Sequence, residues 1–448
     1  MSRSRIAFPA LLLACGVIMV APAIGRGQGF GFGGQAVGGI AIDAGGIVRN
    51  LDARAIESLA AERRQALGEA EGAGPSSLRK VSLARVVAAV EAARDAGTGL
   101  PAEALFLGGL ERITHVFVDP EGNDVILAGP ADRMAVDASG TVVGAKTRRP
   151  LLQLEDLIVA LRAIDGVRQG GILCSIDPTP EGIRRLQAFL SRQRTIGDPQ
   201  QTFRGMEEAV GPQTVSVGGV PGDSRFARVL VAADYRMKRI GMGLEESGVV
   251  GLPSYLSMVP AGGRAAALPR FWLEADYEPI ARDPDELAWK LGDRTMKCLT
   301  ESDVAGRDGL QRGAAGKDRI AAKWCEAMTE HYDALAARQP VFAELVNCVD
   351  LAVVAALIRG RQLDKRAGLD LRPLLDAERL PLPTYEVPAS VPTVASGLKK
   401  GRTWVLSASG GVQFQPWQFA ATTREDADLG SARATALAGR PEAGWFWE

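Results

Sequence analysis

The sequence predicts an α+β protein in which β-hairpins and a mixed sheet are covered by helices, in two packed regions. Three observations predict it. Short apolar or alternating runs flank Asp/Gly-rich turns, as at 115–118 and 124–127, which is the pattern of hairpin strands. Other apolar runs lead into helical segments, as 172–176 leads to 183–190, which suits strand–helix units of a mixed α/β region. Two long stretches, 317–338 and 341–359, carry apolar residues at helical spacing and are split at Pro340. They predict an antiparallel helix pair lying on a sheet.

A chain of 448 residues exceeds one ordinary core, so two or three domains are expected. With 46% hydrophobic and 23% charged residues it has the composition of a folded protein. Charge is balanced: 52 Lys and Arg stand against 53 Asp and Glu. A protein that grips nucleic acid by its phosphates usually carries a large basic excess, because counterion release supplies most of the affinity. No nucleic-acid partner is expected.

The first 23 residues read as a secretory signal peptide. Arg3 and Arg5 precede an almost wholly apolar run at 6–20, and Ala21-Pro22-Ala23 supplies small residues at the cleavage positions. Pro9 and Pro22 interrupt the run, which falls short of the ~20 residues that span a bilayer. Leu12-Leu13-Ala14-Cys15 offers a lipoprotein alternative. The mature protein is thus expected in the periplasm or outside the cell, with no membrane span after cleavage. No later segment is expected to approach spanning length, and 351–358 suits a buried helix.

Residues 24–38 form a Gly-rich linker. Within it, Gly29-Phe30-Gly31-Phe32-Gly33-Gly34 matches the dinucleotide fingerprint formally, but no strand delivers it and no helix receives it. No cofactor is expected. An N-terminal α+β domain follows over 39–165. Its segments 41–48 and 135–142 resemble each other as strand, Asp/Gly turn, strand, and between them lie helices at 52–68 and 82–96 and the hairpin 115–118/124–127. The hairpin loop Asp119-Pro120-Glu121-Gly122-Asn123 is rich in oxygen ligands, which turn chemistry explains without calcium.

A central α/β domain is expected over 166–385. There 172–176 reads as a strand ending at Asp177, and 229–233 reads as a second strand whose following helix is capped by Asp234. Asp283-Pro284-Asp285-Glu286 reads as a turn feeding the strand 287–291, which would return at 295–300 through a turn at Gly292-Asp293. A C-terminal hairpin segment, 386–418, centres on Gly410-Gly411, and 419–448 reads as a disordered tail.

Several phrases together carry a resemblance: Val116-Phe117-Val118-Asp119-Pro120, Asp177-Pro178-Thr179-Pro180-Glu181-Gly182, Arg225-Phe226-Ala227 with Ala233-Asp234-Tyr235-Arg236-Met237-Lys238, and Gly410-Gly411-Val412. Over roughly 38–417 the chain resembles a family of exported planctomycete proteins known only as domain of unknown function 1598. The resemblance implies lineage and export. It carries no activity and no site.

Chemistry-bearing patterns are sparse. His115 and His331 are the only histidines and lack ligand spacing, and Cys174, Cys298, Cys325 and Cys348 contain no close metal knuckle, so no metal is expected. Four cysteines allow three disulfide pairings, and spacing selects none. Ser77-Leu78-Arg79-Lys80 has Ser-x-x-Lys spacing without a Lys-Thr-Gly partner. The acid pairs Glu245/Glu246 and Asp283/Asp285 could serve glycoside chemistry only across a cleft.

The sharpest ligand-binding expectation falls on Asp234, Arg236, Lys238 and Arg239, with Asp177 at the neighbouring strand end. Cations at a helix N-terminus oppose its dipole and want a negative partner. Three functional readings follow. The first is a non-catalytic exported binding or assembly protein with an envelope or extracellular partner. The others are an extracytoplasmic hydrolase of peptide or glycan and a small-anion binding protein.

Overall fold

The computed structural model describes residues 36–67, 74–192, 198–260, 269–301, 304–306, 309–311, 318–397, 404–406, 408–444 and 446–448. Residues 1–23, read above as a signal peptide, Cys15 and the fingerprint-like glycines lie outside them. The α+β class is observed, with helices packed against two mixed sheets.

A bent β-ribbon joins the two sheets. Its strands Arg270–Tyr277 and Arg294–Glu301 pair antiparallel along their whole length. Beyond a bend they continue as Ile280–Arg282 and Ala288–Lys290, again paired. The ribbon turns at 283–287, where Asp283 Oδ1 accepts from Leu287 N and Ala288 N. Gly292-Asp293, expected to be the hairpin turn, is instead the bend: Asp293 O accepts from Glu278 N at 3.0 Å. A side chain at Gly292 would come within 2.8 Å of the Glu278 carbonyl oxygen, so glycine there marks close backbone approach rather than reversal.

The root of the ribbon enters a six-stranded sheet in the order Arg294–Glu301, Arg270–Tyr277, Ser409–Phe414, Ile172–Asp177, Gln213–Gly218, Ser390–Val391. Its tip enters a seven-stranded sheet in the order Thr423–Glu425, Ile280–Arg282, Ala288–Lys290, His115–Asp119, Asp124–Ala131, Ser76–Ser82, Phe446–Trp447. The expected hairpin 115–118/124–127 sits at the centre of this second sheet. Strands are therefore not partitioned as the boundaries 39–165, 166–385 and 386–418 expect, because the N-terminal strands complete their sheet with residues from beyond 279. Likewise Gly410 and Gly411 are not a hairpin turn. They lie inside strand Ser409–Phe414, parallel to one neighbour and antiparallel to the other.

The two short hairpins predicted from self-similarity form as Ile40–Ile42/Val48–Asn50 and Met134–Val136/Val142–Gly144. Both use one device: Asp43 Oδ1 accepts from Gly45 N and Ile47 N, and Asp137 Oδ1 accepts from Ser139 N and Thr141 N. Helices Ala53–Leu67 and Leu83–Ala96 fall where periodicity places them, the second capped by Ser82.

The helical stretch split at Pro340 forms Arg319–Glu330, Tyr332–Arg338 and Pro340–Arg361, with Pro340 in the first turn of the last. Helix Pro340–Arg361 is long and apolar enough to cross a membrane, contrary to the expectation that no later segment reaches that length. Its window is 89% buried inside the protein, and it is a core helix. It also places Glu344, Asn347 and Asp350 in the interior, each met by a partner from another segment.

The tail expected to be disordered is folded. Helix Asp428–Ala438 packs on the seven-stranded sheet and strand Phe446–Trp447 forms its edge, so that Leu429, Ala436 and Trp447 pack with Phe117, Ile126 and Ala288. Its run of Ala, Gly and Arg concealed this, and charges hold it too: Arg440 bonds Asp119 Oδ2 at 2.6 Å and Asp124 Oδ2 at 2.8 Å. Asp124 is fully buried. Arg440→Ala is therefore expected to destabilise the protein by about 3 kcal/mol in urea unfolding, since it strips a buried carboxylate of its cation.

Candidate functional site

Helix Arg225–Gly241 carries most of the expected site. Ser224 caps it, accepting from Ala227 N, and the helix runs unbroken through 229–233. The expected strand there is corrected. Five consecutive apolar residues carry no period that separates a strand from a helix buried on all sides. Asp234 accordingly is no N-cap but lies in the helix interior, and Lys238 and Arg239 occupy the last turn, where the dipole favours cations. The electrostatic conflict expected at this segment does not arise.

Asp234 and Lys238 lie one turn apart and meet inside the protein at 2.8 Å. Lys238 Nζ also donates to Ile176 O at 2.9 Å and Gly410 O at 3.0 Å. An ammonium has three protons, and all three are placed. The Gly410 carbonyl is available because its backbone is left-handed at φ 103°, where any Cβ would strike Phe271 O. Asp177 Oδ1 accepts from Gly410 N at 3.2 Å, and Arg270 Nη1 lies 3.9 Å from it. Asp177, Asp234, Lys238 and Arg270 thus converge where three strands of the six-stranded sheet end. Burial pushes the Asp234 carboxyl up to about 7 against the downward pull of Lys238.

Arg236 and Arg239 point away from this knot. Arg236 donates to Gly38 O and Gly39 O at 3.1 Å each and to Glu245 Oε2 at 2.6 Å. Arg239 lies 3.3 Å from the same Glu245 oxygen. The negative partner that these arginines want is the protein's own Glu245. Beside the knot is a cavity of about 40 Å³, lined among others by Gln213, Tyr235, Lys238, Arg239 and Val391. That volume holds a few waters and is far below the ~300 Å³ at which ligand pockets begin.

A second buried network, invisible in the sequence, sits at the start of the same helix. Arg225 bonds Asp156 and Glu344, with Glu155 at 3.8 Å. Tyr385 donates to Glu155, whose carboxyl burial and the Asp156 charge push up to about 7. Arg228 donates to Glu386 O and stacks over Tyr385. Only the i, i+4 pair Asp234/Lys238 left a sequence signal. The partners Asp156, Glu344, Arg270 and Gly410 are too distant along the chain to be paired by spacing.

Other candidates resolve locally. Ser77 and Lys80 lie on strand Ser76–Ser82, which carries an irregularity between Ser76 and Arg79, and not on one face of a helix as the Ser-x-x-Lys reading requires. Asp119 takes Gly122 N and Arg440, which leaves it engaged as a turn residue and ion pair. His115 stacks on Phe117, and burial followed by Lys290 lowers its pKa to about 4, so it is neutral at pH 7. Two larger clefts among the described residues measure about 490 Å³, between strand Arg294–Glu301 and helix Arg319–Glu330, and about 420 Å³, over the loop 243–254. The raised carboxyls Asp234, Glu155, Asp156 and Glu344 line neither. Cys174, Cys298, Cys325 and Cys348 are all buried free thiols.

The fold and this charged knot define an α+β protein built around a helix with buried ions. Residues 174–255 match the model of a family described as a protein of unknown function, DUF1598. The match includes Asp177, Asp234, Arg236, Lys238 and Arg239. No curated protein and no solved structure matches the chain.

Lys238→Met is expected to cost about 3–5 kcal/mol in urea unfolding, because it leaves Asp234 buried without its cation. Adding Asp234→Asn should recover part of that loss. Since Asp234 titrates higher folded than unfolded, its contribution to stability is full below its ordinary value of 3.8 and is lost as pH rises through about 7. Asp234→Asn should flatten the corresponding fall in stability.

Proposed function

We propose that this chain is an exported, non-catalytic protein whose role is binding or assembly with an envelope or extracellular partner. The observation that carries the reading is the saturation of Lys238: each of its three protons is held by Asp234, Ile176 O or Gly410 O. A catalytic or ligand-gripping lysine keeps a proton or lone pair for its substrate. Here the ion instead fixes the helix to the sheet, as Arg225 and Arg236 fix it to other segments.

The six-stranded sheet supports the binding half of the reading. Helices Arg225–Gly241 and Arg319–Glu330 pack on its inner face. Cross-strand register puts Leu299, Trp272, Gly411 and Ser175 in one row of the outer face, and Lys297, Glu274, Gln413 and Leu173 in the next. Leu173 and Leu299 are 37% and 42% exposed there, among exposed polar residues such as Thr214, Ser216 and Gln413. Such a flat, mixed face on a rigid support suits a protein partner. Export draws its support from the leader at 1–23 and from the family resemblance.

The test joins location to surface. Fractionated cells should yield the protein outside the cytoplasm with its N-terminus between Ala23 and Arg26. Leu173→Arg with Leu299→Arg should release it from its native-size complex in the envelope or extracellular fraction without changing Tm. Cytoplasmic protein beginning at Met1 would defeat export. An unchanged complex in the double variant would remove this face as the binding surface.

A further inference from the structure

Strand Arg294–Glu301 turns Cys298 inward, in register with the buried Leu273 of its neighbour. Helix Arg319–Glu330 packs on that face and turns Cys325 toward it, so the two Sγ atoms stand 3.4 Å apart. They are 27 positions apart in sequence, and spacing alone does not select this pair among the possible pairings. The backbones are fixed at the same point: Thr329 Oγ1 accepts from Cys298 N and donates to Cys325 O, both at 2.9 Å. Each residue also lines the cleft of about 490 Å³ between strand and helix, together with Lys297, Thr300, Glu326 and Glu330. Cys174 and Cys348 are buried elsewhere, at 0% and 1% exposure, and line none of the three cavities described above.

We infer that Cys298 and Cys325 are a cross-linking site, which closes to a disulfide on meeting a disulfide donor and ties the edge strand to its covering helix. A small rotation about each Cα–Cβ bond brings the sulfurs to the bonding distance of about 2.05 Å. One cysteine, deprotonated, attacks a donor RS–SR and forms a mixed disulfide, releasing the first RS⁻. The other, deprotonated in turn, attacks the protein sulfur of that bond, forming Cys298–Cys325 and releasing the second RS⁻. Two protons leave the cysteines and two RSH form. The pair loses two electrons and the donor gains them. The cleft gives the donor its approach, although burial and the neighbouring thiol hold the Cys298 thiol up well above its ordinary value and make the first attack slow. The occurrence of the link in the cell rests on the export reading, since donors of this class prevail outside the cytoplasm. The geometry does not.

The experiment uses the full chain, incubated natively with oxidised glutathione, then alkylated under denaturing conditions and digested with trypsin without reduction. Cleavage after Lys297 and Lys323 separates peptides 298–307 and 324–338. These two are expected as one linked species in most molecules. Dithiothreitol should divide it, and Cys325→Ser should abolish it. Recovery of both peptides alkylated and unlinked, or linkage of Cys298 to Cys174 or Cys348, would overturn the proposal. Cytoplasmic protein whose pair still closes in vitro defeats export alone, whereas exported protein whose pair stays open after the donor defeats the cross-link alone.

Discussion

A charge inside a protein must be met by another group or it expels itself, and helix Arg225–Gly241 places Arg225, Arg228, Asp234 and Lys238 inside. Arg225, Arg228 and Lys238 each fix the helix to a different part of the chain, and Asp234 answers Lys238 from within the helix. Arg225 requires Asp156 and Glu344 from two other helices, and Lys238 requires two backbone carbonyls from neighbouring strands. Arg236, half a turn from Lys238, reaches the N-terminal hairpin. Apolar packing alone would tolerate sliding of a helix so evenly hydrophobic in its middle. The ions set its rotation and depth, because a shift of one residue would bury several of them unpaired.

The same logic distinguishes the long core helix from a membrane span. Helix Pro340–Arg361 has the length and hydropathy of one, yet Glu344 bonds Arg225 and Asp350 bonds both Arg294 and Tyr277. Asn347 donates to Pro150 O. These polar residues face protein partners contributed by four other segments, so the interior they need is this fold's own. Hydropathy counts side chains. It does not see where their partners are.

What the sequence made legible were features whose partners are close along the chain. The hairpin His115–Asp119/Asp124–Ala131 and the two Asp-centred turns were readable because a turn joins its strands within a few residues. Helices Ala53–Leu67 and Leu83–Ala96 lie within a residue or so of the helical stretches 52–68 and 82–96 read from the sequence. Readings failed where a residue type has two uses. Gly292 serves close approach as well as reversal, and the run 229–233 suits a strand as well as a helix buried all round. At the candidate site, Asp177, Asp234 and Lys238 do converge, whereas Arg236 and Arg239 are drawn off by Glu245. Asp177 stands at a strand end that pattern can place, whereas Asp234 and Lys238 reach it from inside a helix where a strand end was expected. The diversion depended on a loop position four residues beyond the helix, whose fold no pattern predicts.

The extent of the matched segment bears on what folds as a unit. Residues 174–255 contain the ion-bearing helix together with Ile176 and Glu245, but other groups that answer its charges lie outside: Asp156 before the segment, Glu344 and Gly410 after it, and the Gly38 and Gly39 carbonyls far ahead. Cut out alone, the segment would hold Arg225 without its carboxylates and Lys238 without one of its carbonyls. The cost of several unanswered buried charges exceeds the total stability of a typical domain of that length. The matched stretch is therefore the central piece of a larger cooperative fold, which runs at least from the hairpin at Ile40 to the strand ending at Phe414.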